Sequence, residues 1–438
     1  MAPATAWGHS ALAVVRLSGE GSHGVCREIA ESMGSRALDV GAPRRVRLRD
    51  AQGVFDDGLV TLAKGPATYT GEDTVEFSVH GNPLIVERLV SAAVSAGARL
   101  AGPGEFTRRA VLNGKLDLVR AEAVLQASAA TTARGLEVAR DAFDGRVGRF
   151  LDEVSSRLRT IAAELEARLD YPGDELAVEV DEQLLGSLKR IQGECTDLAA
   201  TQSVGRVWVA GARVALVGAV NAGKSTLFNA LLGRKRALVH DAPGTTRDVL
   251  EVATMLDGLA ITLLDTAGER PTDDPVEAAG LALALELTGE ADLLVVVLRA
   301  RHDGPSPSEM AILERTADRP RLVVCNGVDG GGSVFPGAIE TVAPTGQGVD
   351  VLIKAMHRAL VGEEPGSSRL LIASVRQRDL LTQVAQLCAE ACEALPAAGP
   401  AVAASVVIEA LEALDSIRGV DTREAVLDEL FTRFCIGK

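Results

Sequence analysis

Val214-Ala-Leu-Val-Gly218-Ala-Val-Asn221-Ala222-Gly223-Lys224-Ser225-Thr226 is the stretch that decides the fold. A short apolar run predicts a strand. Gly218 to Ser225 fits the pattern GxxxxGK[ST], and a helix is expected from Ser225 to Leu232. Two glycines let backbone wrap a phosphate chain, whose charge meets successive N–H groups and the positive end of the helix. Lys224 then reaches the β and γ phosphates, and the Ser225 hydroxyl is a ligand for Mg²⁺. The strand–loop–helix setting makes this a phosphate-binding loop.

Working outward, strands are expected at 213–218, 260–264, 292–298 and 321–325, alternating with helical stretches as in a three-layer α/β domain. Asp265-Thr266-Ala267-Gly268 follows ITLLD, where an acid can hold the water shell of Mg²⁺ and a glycine N–H can sense a γ phosphate. Between it and the first loop, Gly244-Thr245-Thr246-Arg247-Asp248 places Thr246 to close over the metal. Asn326-Gly327-Val328-Asp329 follows LVVC, and Asp329 offers a carboxylate to the two N–H donors of a guanine edge. The usual form of that motif is NKxD. With Gly327 the aliphatic stem over the purine and its brace on the phosphate loop are lost, so guanine selectivity with reduced affinity is expected. Val342-Ala343-Pro344 stands where Ser-Ala-Lys is common, with Ala343 as the base contact. The residues predict a GTPase domain using GTP and Mg²⁺.

Asn221 invites a second ion. A small apolar residue would suffice to wrap phosphate, whereas an Asn oxygen can ligate a monovalent cation together with loop carbonyls between 240 and 245, those of His240, Ala242 and Thr245. K⁺ held there would set positive charge between the α and γ phosphates, where negative charge grows in the transition state.

The rest of the 438 residues bounds the possibilities. The length calls for two or three domains. Sixty acidic against 45 basic residues give a net charge of −15, which argues against non-specific, charge-driven nucleic-acid binding. Six scattered cysteines lack zinc or disulfide spacing. No run of eighteen uncharged apolar residues occurs and the first residues lack a signal-peptide pattern, so a cytoplasmic protein that does not enter membrane is expected. Residues 1–118 read as a small α/β unit with strands at 11–17, 58–63 and 74–81. Residues 119–208 read as long helices broken at 171–175, 209–367 as the inserted G domain, and 368–438 as helices packing back on 119–205.

Over essentially the whole chain, and not in the G domain alone, the sequence resembles a family of tRNA modification GTPases, MnmE or TrmE. The resemblance rests on Ala67-Thr-Tyr-Thr-Gly-Glu-Asp73, Val75-Glu76, His80-Gly81, Pro103-Gly-Glu-Phe-Thr107, Leu112-Asn-Gly-Lys-Leu-Asp-Leu118, Gln126, Asp241–Asp248 and the terminal Phe434-Cys-Ile-Gly-Lys438. It departs at Thr5–Ser10, Gly327 and Val342. The resemblance implies an N-terminal domain for dimerisation and folate binding, a helical domain in two segments, and an inserted Ras-like G domain. It further implies a homodimer, a heterotetrameric complex with the flavoprotein MnmG (GidA), and addition of an aminomethyl or carboxymethylaminomethyl group to C5 of wobble uridine 34 in tRNA. A tetrahydrofolate derivative, 5-formyl or 5,10-methylene, would supply the one-carbon unit. Arg16, Glu76, Lys115 and Lys438 fall at the folate-contacting positions, and Cys435 stands between a chemical and a positional role. The family's water-positioning acid falls on Glu277, while Glu269, directly after Gly268, competes for it. Two rival readings are a nucleotide-binding scaffold without turnover and a ribosome-associated GTPase.

Overall fold

The computed structural model describes residues 1–34, 37–170, 177–233, 250–265, 289–331, 335–363, 369–420 and 424–437. Its contacts gather into two units, Met1–Leu125 with Glu412–Lys438, and Gln126–Leu411. The helical break expected at 171–175 lies outside the described residues.

The first unit begins with β1 (Ala2–Pro3), β2 (Ser10–Ser18), α1 (Ser22–Ile29), β3 (Ala30–Ser32), β4 (Arg44–Asp50), β5 (Gly53–Ala63) and β6 (Thr74–Gly81). α2 (Pro83–Ser95), α3 (Glu105–Leu112) and α4 (Leu118–Ala129) follow. The strands form one antiparallel sheet in the order β1-β2-β6-β5-β4-β3. Alternation decides its faces, since successive side chains on a strand point to opposite sides. Val15, Leu17, Val46, Leu48, Val60, Leu62, Val75, Phe77 and Val79 are buried in the core with residues of α1 and α2. Their neighbours, Arg16 and Glu76 among them, fall on the opposite face. β4 was not foreseen: RRVRLRD carries its two core residues, Val46 and Leu48, between arginines.

The second unit holds α5 (Ala133–Phe143), α6 (Arg146–Asp170), α7 (Ala177–Ala199) and α8 (Gln202–Ala210) before the G domain. The G domain contains β7 (Ala212–Val217), α9 (Lys224–Leu232), β8 (Leu250–Leu256), β9 (Leu259–Asp265), β10 (Leu293–Arg299), α10 (Pro307–Arg315), β11 (Arg321–Asn326), β12 (Ile339–Thr341) and α11 (Val349–Val361). Its sheet runs β12-β11-β10-β7-β9-β8, parallel except for the β8–β9 pair. β10 explains the layering. Leu293 to Leu298 are all buried, with Leu293, Val295 and Val297 in one core and Leu294, Val296 and Leu298 in another across the sheet. A strand covered on both faces reads as a continuous apolar run.

Beyond the G domain come α12 (Val375–Ala398), α13 (Pro400–Arg418) and α14 (Glu424–Thr432). α12 packs along α7, as the helical pattern led one to expect. The last helix goes further than that expectation. Leu427, Phe431 and Phe434 share a core with Leu118 and Ala121 of α4, and α14 also seats on α3.

α8 leads straight into the strand that ends at the phosphate loop, and it is held by backbone proximity. A Cβ on Gly205 would lie 2.1 Å from the Ile372 carbonyl oxygen, while the neighbouring Thr201 hydroxyl oxygen accepts from the Ile372 N–H at 3.2 Å. Gly205→Ala is therefore expected to destabilise the protein by about 1–3 kcal/mol, despite alanine's better helix propensity. Gly193→Ala in α7, where a Cβ meets nothing within 4 Å, should be neutral or stabilising. Thermal melting of the two variants checks the contrast.

Candidate nucleotide and one-carbon sites

The carboxyl ends of β7, β9 and β11 meet at the candidate nucleotide site, the place where open parallel sheets bind ligands. After β7 the chain turns through Asn221, at φ 64°, and Gly223, at φ 92°, before entering α9. The left-handed region costs most side chains about 1–2 kcal/mol but suits Gly and Asn, so Asn221 fits its place by backbone. Lys224 is buried, and its Nζ donates to the carbonyl oxygens of Gly218 (2.9 Å) and Ala219 (3.1 Å). An ammonium folded onto its own loop in this way caps the cradle that its phosphate partners would share. Ala222 is buried beneath the loop, and Thr226 is exposed in the first turn of α9.

Asp265 ends β9, and its carboxylate accepts a hydrogen bond from Ser225. Burial raises its pKa above the ordinary carboxylate value, opposed by that hydrogen bond and by the Lys224 charge. A serine hydroxyl and a carboxylate joined at the start of a helix are hard oxygen donors. They suit Mg²⁺, which keeps several waters and takes few protein ligands. Ser225 would bind the ion directly and Asp265 would hold its waters. Thr245, Thr246, Thr266, Ala267, Gly268, Glu269, Glu277, His240 and Ala242 lie outside the described residues.

At the base end, the side chain of Asn326 is buried and joins three loops. Its Oδ1 accepts from the Ala343 N–H (3.1 Å) and the Thr341 hydroxyl (3.2 Å), and its Nδ2 approaches the Ala222 carbonyl at 3.4 Å. Sequence reasoning placed Asn326 and Ala343 in the site but did not find this bridge, because Thr341 belongs to no motif. Asp329 sits in a single 3₁₀ turn, Val328–Gly330. Gly327 has φ 81°, and a Cβ there would meet nothing within 4 Å.

In the first unit the structure brings together part of the second predicted set. Arg16 and Glu76 are register partners on β2 and β6, with Nε and Nη2 of Arg16 at 2.8 and 2.7 Å from Glu76 Oε1. The Arg16 guanidinium lies 5.8 Å from the centre of the Phe106 ring. Lys115 follows α3, its stem against Gly71 of the 67–73 loop, where a Cβ would be 3.3 Å from Lys115 Cγ. Lys438 is outside the described residues. Cys435 is exposed, and its carbonyl oxygen accepts from the Gly104 N–H at 3.3 Å. The sequence reading missed the ion cluster Glu72–Arg109–Glu105 beside these residues. The i,i+4 spacing of Glu105 and Arg109 was its one available signal.

A strand-ending phosphate loop, an acid bonded to its serine and a base loop with a buried Asn326 and an exposed Asp329 define a P-loop GTPase, with GTP and Mg²⁺ as the fitting ligands. Family models agree over nearly the whole length: "GTP-binding protein TrmE N-terminus" matches residues 1–115 and "MnmE helical domain" matches residues 118–435. The tRNA modification GTPase MnmE of Synechococcus sp. (strain CC9605) is 39% identical, covering 100% of this chain and 98% of that protein. That of Myxococcus xanthus (strain DK1622) is 39% identical over 99% and 98%. Among solved structures, the G domain of the T. maritima FeoB iron transporter is 26% identical over 34% of this chain and 98% of that one, with a TM-score of 0.28. The chain belongs to the MnmE (TrmE) family of tRNA modification GTPases, and it is a GTP hydrolase.

Gly327 gives this member a measurable signature. A lysine stem laid on the purine would remove two or three methylenes from water, worth about 2 kcal/mol, or roughly thirtyfold in affinity. The left-handed strain of a Lys at φ 81° is borne with and without ligand, so it lowers melting temperature rather than affinity. Gly327→Lys should tighten GDP and GTP binding by about ten- to thirtyfold, read by equilibrium titration with labelled nucleotide. Unchanged affinity would show that the purine face is covered by another group.

Proposed function

We propose that this GTPase is activated by K⁺ and that it works with the flavoprotein MnmG to add an aminomethyl or carboxymethylaminomethyl group to C5 of wobble uridine 34 in tRNA. The single observation that carries the ion is Asn221. It stands in the left-handed conformation inside the phosphate loop, where its oxygen can serve a monovalent cation and where glycine would otherwise be the simple choice. The cation would supply positive charge between phosphates, the part an arginine plays in other GTPases. His240, Ala242 and Thr245 would complete its shell through backbone oxygens. Glu277 is the preferred acid for orienting the attacking water, ahead of Glu269.

The one-carbon unit would come from a tetrahydrofolate derivative held by Arg16, Glu76, Lys115 and Lys438. Glu76 suits the donor edge of a pterin, and the lysines suit the carboxylates of its glutamate tail. Support comes from the Arg16–Glu76 pair on the sheet face opposite the α1–α2 core. We assign the first unit to a homodimer contact, and place the assembly with MnmG and tRNA in the cytoplasm. Among the described residues no helix is long and apolar enough to cross a membrane. Cys435, exposed near Gly104, is left to a positional role.

Hydrolysis should run at least tenfold faster in K⁺ than in Na⁺ at equal ionic strength, and Asn221→Ala should abolish the difference. Glu277→Ala should be nearly inactive and Glu269→Ala active; the reverse pattern would transfer the role to Glu269. Rates indifferent to the cation would end the K⁺ reading. For the tRNA product, deletion of the gene should remove C5-aminomethylated wobble uridines from total tRNA, as measured by mass spectrometry. A Lys224→Ala copy should fail to restore them.

A further inference from the structure

The residues assigned above to folate sit on two separate carriers. Strands β2 and β6 carry Arg16 and Glu76, while the turn after α3 carries Lys115; Phe106, on α3 itself, faces the Arg16 guanidinium. A ligand gripped at its pterin by one carrier and at its tail by the other needs the two held to within about half an ångström. The 67–73 loop lies between them. On the strand side, the Ser18 hydroxyl donates to Glu72 Oε2 at 2.8 Å and lies 2.7 Å from the Thr70 hydroxyl. On the helix side, Asn113 Nδ2 donates to the Thr70 carbonyl at 2.7 Å, and the Tyr69 and Thr107 hydroxyls are 3.0 Å apart.

One guanidinium locks this arrangement. Arg109 Nη1 donates to both oxygens of Glu72, at 3.1 and 2.9 Å. Its Nε and Nη2 donate to Glu105 Oε1 at 3.1 and 3.0 Å. Glu105 is fixed in turn by Arg99 Nη1 at 2.9 Å and by the Gly102 N–H at 3.0 Å. Burial pushes the Glu105 carboxyl up, but the hydrogen bonds from Arg99, Gly102 and Arg109 outweigh it and bring it to about 2. The acceptor is thus fully charged at neutral pH. The three side chains of the clamp are each less than one third exposed, so the interactions are stronger than those of an ordinary surface ion pair.

We infer that Arg109 is a positioning residue for the one-carbon site: by gripping Glu72 and Glu105 with one planar fork, it sets the spacing between Arg16 and Glu76 on the sheet and Lys115 on the helix side. The inference rests on the folate reading proposed above. Its physical content is the fork. Lysine keeps the charge but presents a single ammonium and cannot hold two carboxylates in one fixed plane. Phe106, buried between the carriers, passes the position of α3 directly to the Arg16 guanidinium.

The test uses full-length wild type, Arg109→Lys and Arg16→Ala, titrated calorimetrically with 5-formyltetrahydrofolate and with a tetrahydropterin that lacks the benzoylglutamate tail. Arg109→Lys is expected to weaken the folate at least tenfold and the tail-less pterin less than twofold, with GTP hydrolysis and melting temperature near wild type. Only a ligand engaging both carriers detects their spacing. Equal weakening of both ligands would mean general damage to the pterin pocket and would overturn the inference, as would folate affinity within twofold of wild type. Arg16→Ala separates the two failures. If it binds folate normally, or wild type binds none, the folate reading falls and the positioning role with it. If it loses folate while Arg109→Lys does not, only the positioning role falls. Should Arg109→Lys fold poorly, Glu72→Gln, which removes the other half of the clamp, is expected to give the same ligand split and is judged by the same outcomes.

Discussion

The nucleotide site depends on one buried carboxamide. Asn326 ends a parallel strand, and from there it accepts from the loop that carries Ala343 while its amide reaches the phosphate loop at Ala222. A buried amide has four hydrogen-bonding positions to satisfy, and leaving one empty costs about 1–3 kcal/mol. The two ends of the nucleotide are thus referred to a common point. The phosphate end is free to be glycine-rich, and the base end can lose a lysine at Gly327, because the spacing between them is set underneath.

How much of this could be read from residues alone follows from how each part is stabilised. The G domain was legible because strands buried on both faces announce themselves as apolar runs, and because its chemistry sits on loops next to them. LLVVVL at Leu293–Leu298 could hardly be anything else. β4 was illegible for the opposite reason. Only Val46 and Leu48 of its seven residues enter the core, and an alternation with two apolar positions among arginines is too short to stand out. The place of β2 beside β6 also left no local trace, since that pair closes a long interval, whereas β4 and β5 meet across the short turn between Asp50 and Gly53.

The candidate sites divide along the same line. Lys224, Ser225, Asp265 and Asn326 belong to contiguous motifs whose spacing encodes geometry. Arg109 and Glu72 are 37 positions apart, and their ion cluster exists only once a loop and a helix meet. Charge is plentiful in this sequence, so a partner cannot be chosen without the fold. Arg16 and Glu76 were named through family resemblance, and the direct register pairing of β2 with β6 gives that pairing a physical cause.

The return of residues 412–437 to the N-terminal unit bears on the order in which the molecule is made. Ile436 bridges to Pro103, and Phe431 and Phe434 complete a core with Leu118 and Ala121. A ribosome emits these residues only after the whole of 126–411 has emerged, and domains tend to fold as they appear. The intervening unit can close on its own contacts during synthesis. The N-terminal sheet can close on α1 and α2, but α3 and α4 must wait with part of their apolar surface uncovered until the last helix arrives. Shielding of nascent chains should therefore matter most for α3 and α4, near the end of the segment Met1–Leu125.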